Sequence, residues 1–153
     1  MTLRDLLGVF IVYSHNFKVL HWQANGNRFD RIHGLANDYY EMLAEDTDAI
    51  AEMAARIGQH SLGYIEASET LKNLEGDFVV VEADKLYNFS QFTNIADAIF
   101  TGILKSLEAV HETDEMNNIS NVGIKSELEG LHNKYDLQKR YLNKRRTSDV
   151  NED

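Results

Sequence analysis

The sequence contains no proline and no cysteine. Proline is the residue that most strongly breaks a helix, so a chain of 153 residues without it is open to long uninterrupted helices. Without cysteine there is no disulfide, no thiolate metal site and no cysteine nucleophile. Residues 1–17 lack a basic region followed by a small-residue cleavage site, and no apolar run approaches the roughly 20 residues a membrane helix needs. A cytoplasmic setting without membrane contact is therefore expected. Positive charge is also scarce. Lys and Arg number 15 against 25 Asp and Glu, for a net charge of −10. Such a surface repels phosphate backbones and attracts cations, so non-specific nucleic-acid binding is not expected.

What remains is ordinary for one globular domain with a sizeable core: 43% hydrophobic and 26% charged residues. From Thr2 to about Ala24, Leu3, Leu6, Leu7, Phe10, Tyr13, Phe17 and Leu20 recur at helical spacing, with Thr2 as cap and Asp5 three residues on. The helix should end at Asn25-Gly26-Asn27, and Asp30 is placed to cap the next. That second helix is expected from about Arg31 to Ile57, stopped by Gly58. Residues 59–88 are less regular. A short serine-capped helix near Glu66–Leu74 is expected, then an extended crossover through Val79-Val80-Val81, which has strand propensity and no partner strand. A third long helix is expected over about Ser90–Thr113 and a fourth over about Ser120–Arg146. The expected fold is all-α: a ferritin-like four-helix bundle whose long crossover contains a short helix, one domain over 1–146 with a disordered tail at 147–153.

The stretch from His21 to Glu52 carries the candidate chemistry. His21 and His33 flank the turn and are about equally far from it, so a hairpin sets them side by side. Asp48 and Glu52 are i and i+4 on the second helix and share a face. All four are good transition-metal ligands, but residues 33 and 48 on one straight helix stand roughly 22 Å apart. Either the histidines are not ligands, or a second copy brings its carboxylates to them. Two second helices packed antiparallel about an axis near residues 41–42 would form two such sites. Mixed imidazole and carboxylate ligands suit iron better than magnesium or calcium; spacing alone leaves zinc open. The bland alternative also stands. Histidines in helices usually pack or face solvent, and a run such as Glu45-Asp46-Thr47-Asp48 is usually a solvated face.

These residues carry a resemblance. His21-Trp22, Gly26, Phe29, His33 twelve residues after His21, and Asp48-x-x-Ala51-Glu52 resemble the signature of the Dps family, the DNA-protection-during-starvation miniferritins. The likeness is sharp over residues 18–57 and weaker beyond. It implies hollow dodecamers built from two-fold dimers, oxidation of Fe(II) preferably by hydrogen peroxide, and storage of ferric mineral. It implies Asp48 and Glu52 as the principal iron ligands, His21 and His33 as ligands from the partner chain, and Trp22 as an oxidisable neighbour. It further suggests Asp114 and Glu115, near the last turn, as candidates to line an iron-entry pore.

The sequence also departs from that pattern. Asn37 stands where the family commonly has an acidic residue, which leaves a weak second iron position. Many relatives bind DNA through a lysine-rich N-terminal extension, and none is expected here, where the first helix is read from Thr2. The basic cluster Lys139, Arg140, Lys144, Arg145 and Arg146 instead suits a helix C-terminus. Iron chemistry is therefore carried over and DNA binding is not. Glu108-x-x-His111 and Glu129-x-x-His132 would be half of an intrasubunit di-iron site, but the first helix holds no glutamate to complete it, and they read as surface pairs. The alternatives are a ferritin-like shell or interaction protein with weak or no ferroxidase activity, and a DNA-compacting protein.

Overall fold

A computed structural model describes residues 1–74, 76 and 78–149. The described residues form five α-helices: α1 (Leu3–Trp22), α2 (Phe29–Arg56), α3 (Tyr64–Asn73), α4 (Phe89–His111) and α5 (Val122–Asp149), with one 3-10 turn at Ile119–Asn121. Thr2 caps α1 as expected. Its hydroxyl accepts the Asp5 amide at 3.1 Å, and the Asp5 carboxylate accepts the Thr2 amide at 3.0 Å. Asn88 and Gln91 cap α4 in the same way.

Two expected caps are corrected. Asp30 does not cap α2; the helix begins at Phe29, Arg28 sits at the cap position without a side-chain bond, and Asp30 lies in the first turn. There its charge still complements the helix dipole. The short helix starts at Tyr64 and is not serine-capped. Gly63 precedes it, and Glu66 reaches back to the Gly63 amide at 3.3 Å. The tail expected to be disordered begins at 147, yet α5 runs through Asp149; residues 150–153 lie outside the described residues.

The pairing of helices follows from contacts far apart in sequence. On α2, Asp46 meets Lys134 and Tyr135, Arg56 meets Glu127, and Tyr39 meets Arg145. Rising numbers on α2 meet falling numbers on α5, so the two run antiparallel. On α4, Glu108 meets His132 and Asp97 meets Lys139, so α4 is also antiparallel to α5. Then α2 and α4 are parallel, and only a long crossover can join them. This is the ferritin-like topology expected. The crossover runs back along α1, against which α3 packs.

The Val79-Val80-Val81 run forms no strand. Val79 instead has its backbone satisfied by α1: its N–H donates to the Tyr13 hydroxyl at 3.2 Å and its carbonyl accepts the Asn16 amide at 2.9 Å. Tyr13 can lie there because Gly102 on α4 has no side chain. A Cβ at Gly102 would stand 2.9 Å from the Tyr13 hydroxyl.

The core is rich in aromatic rings. Phe10, Phe17, Phe100 and Tyr135 are fully buried and touch one another edge-on or tilted at centroid distances of 5.5 to 6.1 Å. Asp46 corrects the expectation of a solvated acidic face. It is buried, and its carboxylate accepts the Tyr135 hydroxyl at 2.5 Å and the Lys134 ammonium at 2.9 Å. No helix among the described residues is long and apolar enough to cross a membrane.

Burial raises the pKa of Tyr13, Tyr39 and Tyr135, and the adjacent Asp46 charge raises Tyr135 further. A phenol is neutral when protonated, so the folded state holds these protons more tightly than the unfolded chain. The resulting stability is full below about pH 10, the unfolded value, and is lost as pH rises above it. Phenolate absorbance during an alkaline titration should therefore show these three of the seven tyrosines ionising only as the chain unfolds. Seven equivalent tyrosines titrating near pH 10 in the folded protein would contradict it.

Candidate metal centre

The turn between α1 and α2 holds its histidines in a reciprocal clasp. Gly26 takes a positive φ of 95°, which lets the chain reverse within six residues. The His21 and His33 rings then stack, with centroids 3.7 Å apart. His21 Nδ1 donates to the His33 carbonyl at 2.8 Å, and His33 Nδ1 donates to the His21 carbonyl at 3.1 Å. The His21 carbonyl belongs to the last turn of α1, where carbonyls lack a helical partner.

A carbonyl oxygen can only accept, so each Nδ1 carries a proton. Each Nε2 of the neutral ring is left with its lone pair. This is the tautomer that binds a metal through Nε2 with the other nitrogen anchored on a carbonyl. Phe29 stacks on His33 with centroids 5.3 Å apart. Trp22, 60% exposed, stands edge-on to His15 at 6.1 Å.

Asp48 and Glu52 are exposed, one turn apart on α2, and neither makes a hydrogen bond or ion pair among the described residues. Exposed Gly34, Glu41, Ala44, Asp48, Glu52 and Ala55 fall within about 40° of one line along α2, with Asn37 among them. His33 lies roughly 60° off that line. The histidine pair and the carboxylate pair thus border one outward stripe at its two ends. They do not meet within one chain: among the described residues, no three His, Asp or Glu side chains gather round a common point.

Asn37 does not hang free. Its amide donates to Glu41 Oε1 at 3.2 Å. Glu41, one turn further along the stripe, was not singled out from the sequence; its i+4 relation to Asn37 is the signal that could have found it. The basic cluster on α5 is largely engaged within the chain. Lys139 and Arg146 pair with Asp97 at 3.2 and 3.6 Å, and Arg140 pairs with Asp136 at 3.0 Å.

No protein-family profile matches the chain. A low temperature-induced protein of Nostoc sp. is 38% identical over 63 residues, which is 39% of this chain and 35% of that protein. The chain thus matches about a third of the length of that relative. Solved structures match over nearly the whole chain. Dps from Staphylococcus aureus superposes with a TM-score of 0.76 at 22% identity, covering 93% of this chain and 90% of that one. The chain has the Dps-type ferritin-like fold. A Dps protein from Vibrio cholerae, described as a member of a broad superfamily of ferritin-like diiron-carboxylate proteins, superposes with a TM-score of 0.78 at 18% identity, over 92% of this chain and 84% of that one.

The clasp predicts that, in metal-free protein, the neutral rings of both His21 and His33 carry their proton on Nδ1 in long-range nitrogen–carbon NMR correlations. An Nδ1 without a proton in either ring would contradict the clasp.

Proposed function

We propose that this chain is a Dps-like miniferritin. Its substrate is Fe(II), oxidised by hydrogen peroxide at sites shared between two-fold-related copies and stored as ferric mineral inside a hollow shell of about twelve chains. The observation that carries this reading is the complementary pair of half-sites on α2 and its hairpin. One end offers two Nε2 lone pairs; the other offers two unpartnered carboxylates. Antiparallel packing of two α2 helices about an axis near residues 41–42 unites them twice per dimer. The exposed Gly34, Ala44 and Ala55 on the same stripe leave room for a partner helix to approach.

In this reading Asp48 and Glu52 of one copy hold iron with His21 and His33 of the other. Anionic carboxylate oxygens favour the more highly charged Fe(III) product. Two Fe(II) ions give two electrons to one hydrogen peroxide, which takes up two protons and leaves as two waters. Water on Fe(III) then loses protons readily, which drives hydrolysis to mineral. Zinc could occupy the same ligands as a substitute. Asn37 supplies a neutral amide where a carboxylate would strengthen a second iron position, so that position depends on water. Trp22 stands beside His21 as a side chain that stray oxidant could attack. Asp114 and Glu115 remain candidates for an entry pore. DNA is not read as a partner, since the net charge is −10 and the basic cluster is engaged.

An anaerobic Fe(II) titration followed by peroxide tests the chemistry. Ferric absorbance should rise rapidly and slow more than about tenfold in Asp48→Ala with Glu52→Ala, as loss of metal-site groups does elsewhere. Native mass should lie near that of twelve chains. A monomeric protein overturns the interface site. An assembled shell that oxidises iron no faster than the double variant leaves only a ferritin-like shell without ferroxidase activity.

A further inference from the structure

The two ExxH motifs do more than sit on the surface. Glu108 and His111 on α4 face Glu129 and His132 on α5 across the groove between these antiparallel helices. The pairing is crossed: His111 Nε2 lies 3.0 Å from Glu129 Oε2, and His132 Nε2 lies 3.2 Å from Glu108 Oε1. Glu112 lines the same cavity of about 280 Å³, whose floor is Leu107 and Leu128. Three carboxylates against two imidazoles make the groove cation-seeking, and no Lys or Arg lines it among the described residues. The apolar floor excludes water from one side, which strengthens that attraction.

The geometry points to a second metal site, independent of the α2 interface. We infer that the α4–α5 groove binds one divalent transition-metal ion of the zinc class per chain, through His111, His132, Glu108 and Glu129. Ligands about 2.0–2.1 Å from a tetrahedral ion stand roughly 3.3 Å from one another. The crossed pairs already stand close to that separation. The pairs themselves lie one helical turn apart, with Cβ atoms about 5–6 Å apart. No three of these side chains yet surround one point. Closure needs the long glutamate side chains to rotate inward, and the proton each Nε2 now shares with a carboxylate to move to Nδ1 or to solvent. Mixed imidazole and carboxylate donors select zinc, cobalt, manganese or ferrous ions over magnesium and calcium.

The test uses Co(II), whose visible bands report coordination, on the full chain carrying Asp48→Ala and Glu52→Ala, which removes the interface carboxylates, and His21→Gln with His33→Gln, which removes the interface imidazoles. One Co(II) per chain should bind with tetrahedral-type absorbance. Adding His111→Gln and His132→Gln should abolish it, with far-UV circular dichroism unchanged. Glu129→Gln alone should weaken Co(II) affinity at least tenfold, and it decides the matter if the double histidine change disturbs folding. No Co(II) uptake in this interface-deleted protein, or uptake indifferent to the changes at His111, His132 and Glu129, overturns the inference. Iron oxidation at the α2 interface should be unaffected by His111→Gln with His132→Gln, so failure here leaves the proposed function standing, and the reverse also holds.

Discussion

A straight helix keeps its residues apart. On α2, the fifteen-residue interval from His33 to Asp48 is a rigid spacer of roughly 22 Å, and no side-chain rotation closes it. Proline would be the cheapest way to bend such a spacer, and the chain has none. The helix is tied to α5 from its middle to its C-terminal end, by Tyr39 to Arg145, by Asp46 to Tyr135 and Lys134, and by Arg56 to Glu127. Two groups of good metal ligands are thus held apart in one molecule, each with its donor atoms free. The proposed role of a second copy rests on that rigidity more than on any single contact.

The two ends of the spacer are prepared differently. The histidine end is organised by its own backbone: the crossed bonds between His21 and His33 fix both rings and both tautomers before any ion arrives. The carboxylate end is left solvated, and among the described residues nothing engages Asp48 or Glu52. Imidazoles must be aimed, because only one lone pair serves. Carboxylates offer several acceptor directions and tolerate looser placement. The division follows the chemistry of the donors.

Much of this was legible in the sequence, and the remainder was hidden for definite reasons. Helix ends followed from Thr2 with Asp5 and from Gly26 and Gly58, because capping and left-handed turns are local events. Asp30 misled because several residues in a first turn can complement the dipole, and only one of them is the cap. Asp46 misled more deeply. In the run Glu45-Asp46-Thr47-Asp48 the carboxylates look alike, yet a 200° rotation between positions 46 and 48 turns one into the core and the other to solvent. Knowing which is which requires knowing that Tyr135, 89 residues later, brings a hydroxyl to the same spot. The level of the two histidines was readable from their distance to the turn, whereas their crossed bonds depended on rotamers. The crossed ExxH pairs depended on the register of α4 against α5, which spacing within either motif does not contain.

The crossover that lies along α1 also fixes where the chain can change. With α2 on one side, α4 on another and the crossover with α3 over the remainder, α1 buries thirteen of its twenty residues, whereas α2 buries eight of its twenty-eight. A helix enclosed in this way has few positions at which a different side chain would fit, and Asn16, bonded to the Val79 carbonyl, is as constrained as the leucines. The helix that carries the carboxylates has the opposite freedom. Its outward stripe, Asp48 and Glu52 apart, can be rewritten without reaching the core, so the surface that would choose a partner can diverge while the bundle beneath it stays the same.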